Sequence, residues 1–171
     1  PILQKRLVDQ SREHGKPVVV ATQMLDSMVG APSPTRAEAS DVATAVFDAA
    51  DSLMLSAETA SGKFPVESVQ IMDRIIRGVE CDLSYRQILE SKKIKLQQTT
   101  SDAISSAASQ VVKTVEAKAI FTYTRSGATA KRAARERPAV PIIGLSPDRL
   151  TARQLALIWG VHSIHALEPK S

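Results

Sequence analysis

Val18-Val19-Val20-Ala21-Thr22 and Ser52-Leu53-Met54-Leu55-Ser56 are the two stretches that decide the fold. Each is an unbroken apolar run ending on a hydroxyl residue, the pattern of a strand buried on both faces of a parallel sheet. Between them, Thr35 and Glu38 have the spacing of a capping box, in which each side chain satisfies an orphan backbone N–H at a helix start. The helix they open places Val42, Ala45, Val46 and Ala49 on one face. Strand, helix, strand in that order demands parallel pairing through a right-handed crossover. Pro65 fits the first turn of a further helix, with Val69, Met72, Ile76 and Val79 as its expected buried stripe. Upstream, residues 1–14 read as a helix with Ile2, Leu3, Leu7 and Val8 on one face and Gly15 at its stop.

Working outward toward the C-terminus, the character changes near residue 84. Residues 85–98 are polar and basic, with few apolar anchors, and read as a linker. The alternation then resumes. Ser101 or Asp102 is placed to cap a helix whose expected face is Ile104, Ala107, Ala108, Val111 and Val115. Strands are expected at 119–123, 140–145 and 161–166, with helices at 129–136 and 149–159, the last stopped by Gly160. The chain therefore divides into residues 1–84, a linker over 85–98, and an open α/β unit over 99–171. It starts at Pro1 without an initiator Met and stops in mid-pattern, so both ends are expected to be cut.

The bulk numbers bound the function. With 171 residues, 43% hydrophobic and 23% charged, the chain is ordinary for a soluble globular protein. No apolar run approaches the roughly 18 residues needed to cross a bilayer. A single cysteine, Cys81, excludes an internal disulfide and any cysteine-rich metal site, and fits a reducing, cytoplasmic setting. The net charge of +4 is spread along the chain and only 4% of residues are aromatic. Nucleic-acid readers carry a basic stripe with stacking aromatics, so that partner is not expected.

Two tempting motifs fail on spacing. Glu58-Thr59-Ala60-Ser61-Gly62-Lys63 resembles the tail of a phosphate-binding P-loop, but Ala57 stands where the motif needs its first glycine and Phe64 where it needs a Ser or Thr. His162 and His165 lie three apart on an expected strand, so they point to opposite faces and cannot chelate one ion.

Three candidates remain. Thr22 closes an apolar strand, and in α/β enzymes ligands gather beyond the carboxyl ends of parallel strands; it equally fits a residue that ends a strand or caps the next turn. Ser56-Ala57-Glu58-Thr59 stands at the same end of the neighbouring strand. A hydroxyl and a carboxylate there, facing Thr22, can orient water and pass protons, and the alternative is a helix-capping turn before Pro65. Thr124-Arg125-Ser126-Gly127-Ala128-Thr129 runs from a strand into a Ser/Thr/Gly loop that opens a helix. Free N–H groups, hydroxyls and the helix dipole make an anion site there, with Lys131, Arg132, Arg135 and Arg137 expected to add positive charge. An ordinary turn before a solvated basic helix is the alternative.

Ala21-Thr22-Gln23-Met24, Pro34-Thr35-Arg36-Ala37-Glu38, Ser40-Asp41-Val42-Ala43 and Leu55-Ser56-Ala57-Glu58-Thr59, in that order, resemble the signature of pyruvate kinases. Ala57 departs from the glycine and Thr44 from the asparagine that many members carry; the hydroxyls and the carboxylate are kept. The resemblance implies that residues 1–84 hold the last two strand–helix units of a (β/α)8 catalytic barrel. Residues 99–171 would be part of the family's mainly parallel α/β C-terminal domain. It implies that Thr22 lies against bound enolpyruvate where the enolate carbon is protonated, and that Ser56 and Glu58 belong to a proton relay. Arg36 matches an arginine near a subunit interface, and Thr124, Arg125, Ser126, Gly127 and Thr129 match a loop that binds the phosphate of an allosteric effector.

The family transfers phosphate from phosphoenolpyruvate to ADP, giving pyruvate and ATP in glycolysis, with Mg²⁺ and K⁺ and as a cytoplasmic homotetramer. By the resemblance, its phosphoryl-stabilising lysine, its acidic Mg²⁺ pair and its K⁺ site precede residue 1, so no metal ligand is expected in this chain. Phosphoryl transfer depends almost wholly on positioned positive charge, and the fragment alone is expected to be inactive. The rival reading is a non-catalytic phosphometabolite-binding or assembly module.

Overall fold

Valines at 19 and 20 are β-branched, and branched side chains pack well on a pleated surface. They form β1 (Val19–Val20), which follows α1 (Ile2–Glu13). The apolar runs do form neighbouring parallel strands: β1 pairs with β2 (Ser52–Leu53), Val19 opposite Ser52 and Val20 opposite Leu53. Both are shorter than the runs that predict them. The Asp51 carboxylate extends the pairing by accepting the Val18 N–H at 2.9 Å, and the Met54 N–H donates to the Val20 carbonyl at 2.9 Å. The structure, a computed structural model, describes residues 2–91 and 99–167.

The crossover between β1 and β2 is made by a 3-10 turn (Asp26–Val29) and then α2 (Arg36–Phe47). The capping box forms as expected, with the Thr35 hydroxyl accepting the Glu38 N–H and Glu38 accepting the Thr35 N–H. Val42, Ala45, Val46 and Ala49 are all buried. After β2 come a short α3 (Ala57–Ala60) and α4 (Pro65–Glu80), with proline in its first turn. Met72 and Val79 face the core as expected, but Val69 is 53% exposed. Ser68 takes the buried place beside it, its hydroxyl donating to the Phe64 carbonyl at 2.7 Å.

The expected linker over 85–98 is helical in its first part. α5 spans Leu83–Ser91, and Tyr85 and Leu89 pack on Val46, Ala49 and Val79, with the Phe47 and Tyr85 rings edge to face at 6.0 Å. Two apolar side chains four apart are enough to anchor one helix face, even among the charged residues that disguise them. The remaining linker residues, 92–98, lie outside the described residues.

The described residues separate into two units, one of residues 2–9 and 18–91, the other of residues 10–17 and 99–167. In the second, α6 (Thr100–Thr114) is capped by Thr99, whose hydroxyl accepts the Asp102 N–H; Ser101 and Asp102 are already inside the helix. Its expected apolar face is turned outward, with Ile104, Val111 and Val115 each more than half exposed. The buried side is Asp102, Ser105, Ser109 and Val112, because an ion pair described below draws Asp102 inward. Then follow β3 (Ile120–Tyr123), α7 (Ala128–Arg135), β4 (Ile142–Ser146), α8 (Arg149–Leu155) and β5 (Val161–His165). The three strands are parallel in the order β3-β4-β5, Ile120 opposite Ile142 and Ile142 opposite Val161. Ala130, Ala134, Ile142, Leu155 and Val161 form the core beneath them.

The fold is therefore α/β with parallel strands in two small sheets; the two-stranded sheet does not close into a barrel among the described residues. No described helix is long and apolar enough to cross a membrane.

Candidate functional site

At the carboxyl end of β1 the chain turns through two consecutive left-handed residues, Thr22 (φ 74°) and Gln23 (φ 54°). Neither is glycine, and such backbone costs on the order of 1–3 kcal/mol per residue. The residues that follow it, Met24, Leu25 and Met28, are all buried. The Thr22 side chain is exposed.

At the same end of β2, Ser56 precedes α3. Its hydroxyl does not cap that helix, and the residue is exposed. Glu58 is the opposite case. It is 2% exposed, with Oε1 accepting the Leu25 N–H at 3.1 Å and Oε2 accepting the Ser56 N–H at 2.7 Å. One buried carboxylate thus ties the end of β2 to the segment that follows Thr22. The sequence places these residues at neighbouring strand ends; the structure adds the bonds that the Ser56 and Leu25 N–H groups donate to Glu58.

Gly62 explains why the P-loop look-alike exists. A Cβ there would stand 2.5 Å from the Glu58 carbonyl oxygen, so only glycine lets the chain fold back over α3. The neighbouring Lys63 N–H donates to the Val29 carbonyl at 2.9 Å. Glycine and lysine serve this turn's backbone.

Sequence reasoning missed a second carboxylate. Glu38 completes the capping box, but it also accepts the Ser27 N–H on Oε1 at 2.7 Å and the Ser27 Oγ–H on Oε2 at 2.5 Å. The Thr35 N–H and Oγ–H both donate to Oε2 at 2.8 Å. Burial pushes its pKa up, but the bonds from Ser27 and Thr35 outweigh that and hold it at about 2, against an ordinary 4.5. Nothing in the spacing of Ser27 and Glu38 marks this pairing. Arg36 begins α2 and is exposed.

In the second unit, the Thr124 N–H donates to the Leu145 carbonyl at 2.9 Å, continuing the sheet, and the residue is buried. Arg125, Ser126 and Thr129 are exposed. Gly127 has φ 79°, and a Cβ there would lie 3.3 Å from Leu155 Cδ2 and 3.4 Å from Thr151 Cγ2. It is the N-cap of α7 and provides no side-chain cap, so the helix starts without the hydroxyl that usually takes one of its first N–H groups.

The basic residues of α7 do not all serve that end. Arg135 Nη2 lies 2.9 Å from Asp102 Oδ2 and Arg132 Nε 3.3 Å from Asp102 Oδ1, with Asp102 and Arg135 both buried. Arg12 Nε donates to the Arg135 carbonyl at 3.0 Å, satisfying a helix C-terminus with a cation. Arg137 stacks over Trp159 at 4.7 Å. Burial raises the pKa of Glu136 more than the nearby Arg135 and Arg12 lower it. Charge expected to surround the loop therefore goes partly into packing at the other end of its helix. His162 and His165 are exposed, and His165 Nε2 lies 3.1 Å from the Pro147 carbonyl.

Among the described residues no group of His, Cys, Asp or Glu is arranged to hold a metal ion, and the oxygens of Glu38 and Glu58 already accept N–H groups.

Two units of parallel strands and helices with polar groups at strand ends place the chain among α/β proteins, whose ligands gather beyond the carboxyl ends of the strands. Comparison with known proteins narrows it. The family model for the pyruvate kinase barrel domain matches residues 1–69, and that for the pyruvate kinase alpha/beta domain matches residues 102–171. Pyruvate kinase of Methylorubrum extorquens is 52% identical over 96% of this chain and 34% of its own length. Pyruvate kinase of Agrobacterium vitis is 52% identical over 96% of this chain and 35% of its own. The chain belongs to the pyruvate kinase family and spans about a third of the length of these relatives.

Proposed function

We propose that this chain contributes the proton-transfer side and an effector site to a complete, cytoplasmic pyruvate kinase that converts phosphoenolpyruvate and ADP to pyruvate and ATP. Thr22 delivers the proton to the enolate carbon, and Ser56 with Glu58 forms the relay behind it. The bonds that the Ser56 and Leu25 N–H groups donate to Glu58 carry this reading, since one buried carboxylate links the end of β2 to the segment after Thr22. Two N–H donors fill about half of the acceptor positions of a carboxylate, so Glu58 keeps the capacity to take a further proton donor.

Thr124, Arg125, Ser126, Gly127 and Thr129 bind the phosphate of a phosphorylated effector; the uncapped start of α7 supports that. Arg36, exposed at the start of α2, faces a neighbouring subunit of a homotetramer. Mg²⁺, K⁺ and the phosphoryl-stabilising lysine belong to other parts of the enzyme, so the 171 residues alone do not turn over.

The decisive experiment is Thr22→Val in the complete enzyme. We expect kcat to fall about 10²–10⁴-fold, the usual cost of losing an acid–base group, with little change in KM for phosphoenolpyruvate. A change in KM alone overturns the assignment. For the isolated chain, turnover in the ordinary range of about 1–10³ per second would contradict its inactivity and the division of labour proposed for it.

A further inference from the structure

Consecutive left-handed residues persist only where the surrounding structure over-determines them, which makes the fixing of Thr22 and Gln23 a question in its own right. Upstream, the Val20 carbonyl is held by the Met54 N–H. Downstream, Met24 and Leu25 are buried, and Glu58 takes the Leu25 N–H. The next polar anchor is Ser27, whose N–H and Oγ–H both donate to Glu38. Neither bond belongs to the capping box, which Glu38 completes with Thr35 alone. A capping glutamate needs one partner; this one has a second, on the segment that carries Thr22.

We infer that Glu38 is a positioning residue for the reaction: by gripping Ser27 from the start of α2, it holds the Thr22–Ser27 segment in its left-handed turn and keeps the Thr22 hydroxyl in one place at the end of β1. This rests on the reading of Thr22 as the proton donor. Misplacing a reacting group by about 1 Å can cost about 10²-fold, so a loosened turn is felt in turnover before it is felt in binding. Glu38 itself touches no reacting atom. Its effect passes through Ser27.

The test uses the complete enzyme with Ser27→Ala, Glu38→Gln, Thr35→Ala and Thr22→Val, read by steady-state kinetics and amide hydrogen exchange. Ser27→Ala removes a bond to Glu38 and leaves the cap; Thr35→Ala breaks the cap and leaves both Ser27 bonds. We expect Ser27→Ala and Glu38→Gln to lower kcat about tenfold with KM within about twofold, and to speed exchange at Gln23–Ser27. Thr35→Ala should lower the melting temperature and leave kcat unchanged. Wild-type kcat in Ser27→Ala, or an equal loss of kcat in Thr35→Ala, overturns the inference, because Glu38 would then act only as a cap. If Glu38→Gln does not fold, the comparison of Ser27→Ala with Thr35→Ala still decides. Unchanged kcat in Thr22→Val sinks the reading of Thr22 itself, whereas a loss there with a normal Ser27→Ala sinks only the role of Glu38.

Discussion

The Glu58 carboxylate accepts the Leu25 N–H at 3.1 Å from a position 2% exposed to solvent, so a side chain on one strand end acts as a backbone partner for the segment beyond the other. Removing it leaves the Leu25 and Ser56 N–H groups without that acceptor. An unsatisfied buried donor costs about 1–3 kcal/mol. Because Ser56 is exposed and only the Leu25 N–H is buried, Glu58→Ala is expected to destabilise the protein by about 1–3 kcal/mol, and Glu58→Gln, which retains one acceptor oxygen, by less. Urea unfolding of the two variants gives the comparison; equal stability of wild type and Glu58→Ala would mean that the carboxylate is not structural.

Asp102 and Arg135 form the second buried link, 2.9 Å apart with side chains 2% and 4% exposed. Breaking a buried pair by removing one member costs about 3–5 kcal/mol, while replacing both with apolar residues is often neutral. Asp102→Ala should therefore unfold at markedly lower temperature. Asp102→Leu with Arg135→Met should recover most of the loss. A calorimetric scan in which the double replacement is as unstable as the single one would count against a pair held mainly by charge.

The same residues show what was legible in the sequence. β1, β2 and α2 follow from apolar runs and a capping box, signals that depend on neighbours in sequence. The apolar periodicity of α6 points to the wrong face, because Asp102 is inside for the sake of Arg135, a partner more than thirty positions away. α5 has no clear pattern, because Tyr85 and Leu89 are two anchors among polar residues. Thr22, Ser56 and Glu58 are legible as strand-end residues, but the Ser27 bonds to Glu38 have no local signature. Pairings made by folding are what spacing alone does not carry.

Glu38 should shape the acid limb of stability. Burial opposes its charge, yet the bonds from Ser27 and Thr35 bring its folded pKa to about 2, below the ordinary 4.5. A depressed carboxylate contributes stability that is complete above the unfolded value and is lost as pH falls through the folded one, because the unfolded chain takes up the proton first. Between about 4.5 and 2, wild type should lose stability more steeply than Glu38→Gln. Denaturant midpoints measured across that window check this; parallel curves for the two proteins would contradict it.

The loop from Thr124 to Thr129 is expected to bind a phosphorylated small molecule through its donors. Gly127 opens α7 without a side-chain cap, and the dipole of a helix start favours an anion. The exposed hydroxyls of Ser126 and Thr129 stand on either side of that turn. Arg125 adds charge, whereas Arg135 is paired with Asp102 and Arg137 is stacked on Trp159; selectivity then rests on hydroxyls and backbone more than on a cationic cluster. Each hydrogen bond to a charged group contributes about 1.5–3 kcal/mol. Ser126→Ala with Thr129→Val should thus weaken phosphate-ester affinity by about tenfold or more. Titration calorimetry with sugar phosphates and nucleoside monophosphates, wild type against the double variant, measures it in the complete enzyme. Equal affinity in the two proteins would reduce the loop to a turn. Loss of affinity with Arg125→Ala alone, and none with the hydroxyl variant, would shift recognition from hydrogen bonding to charge.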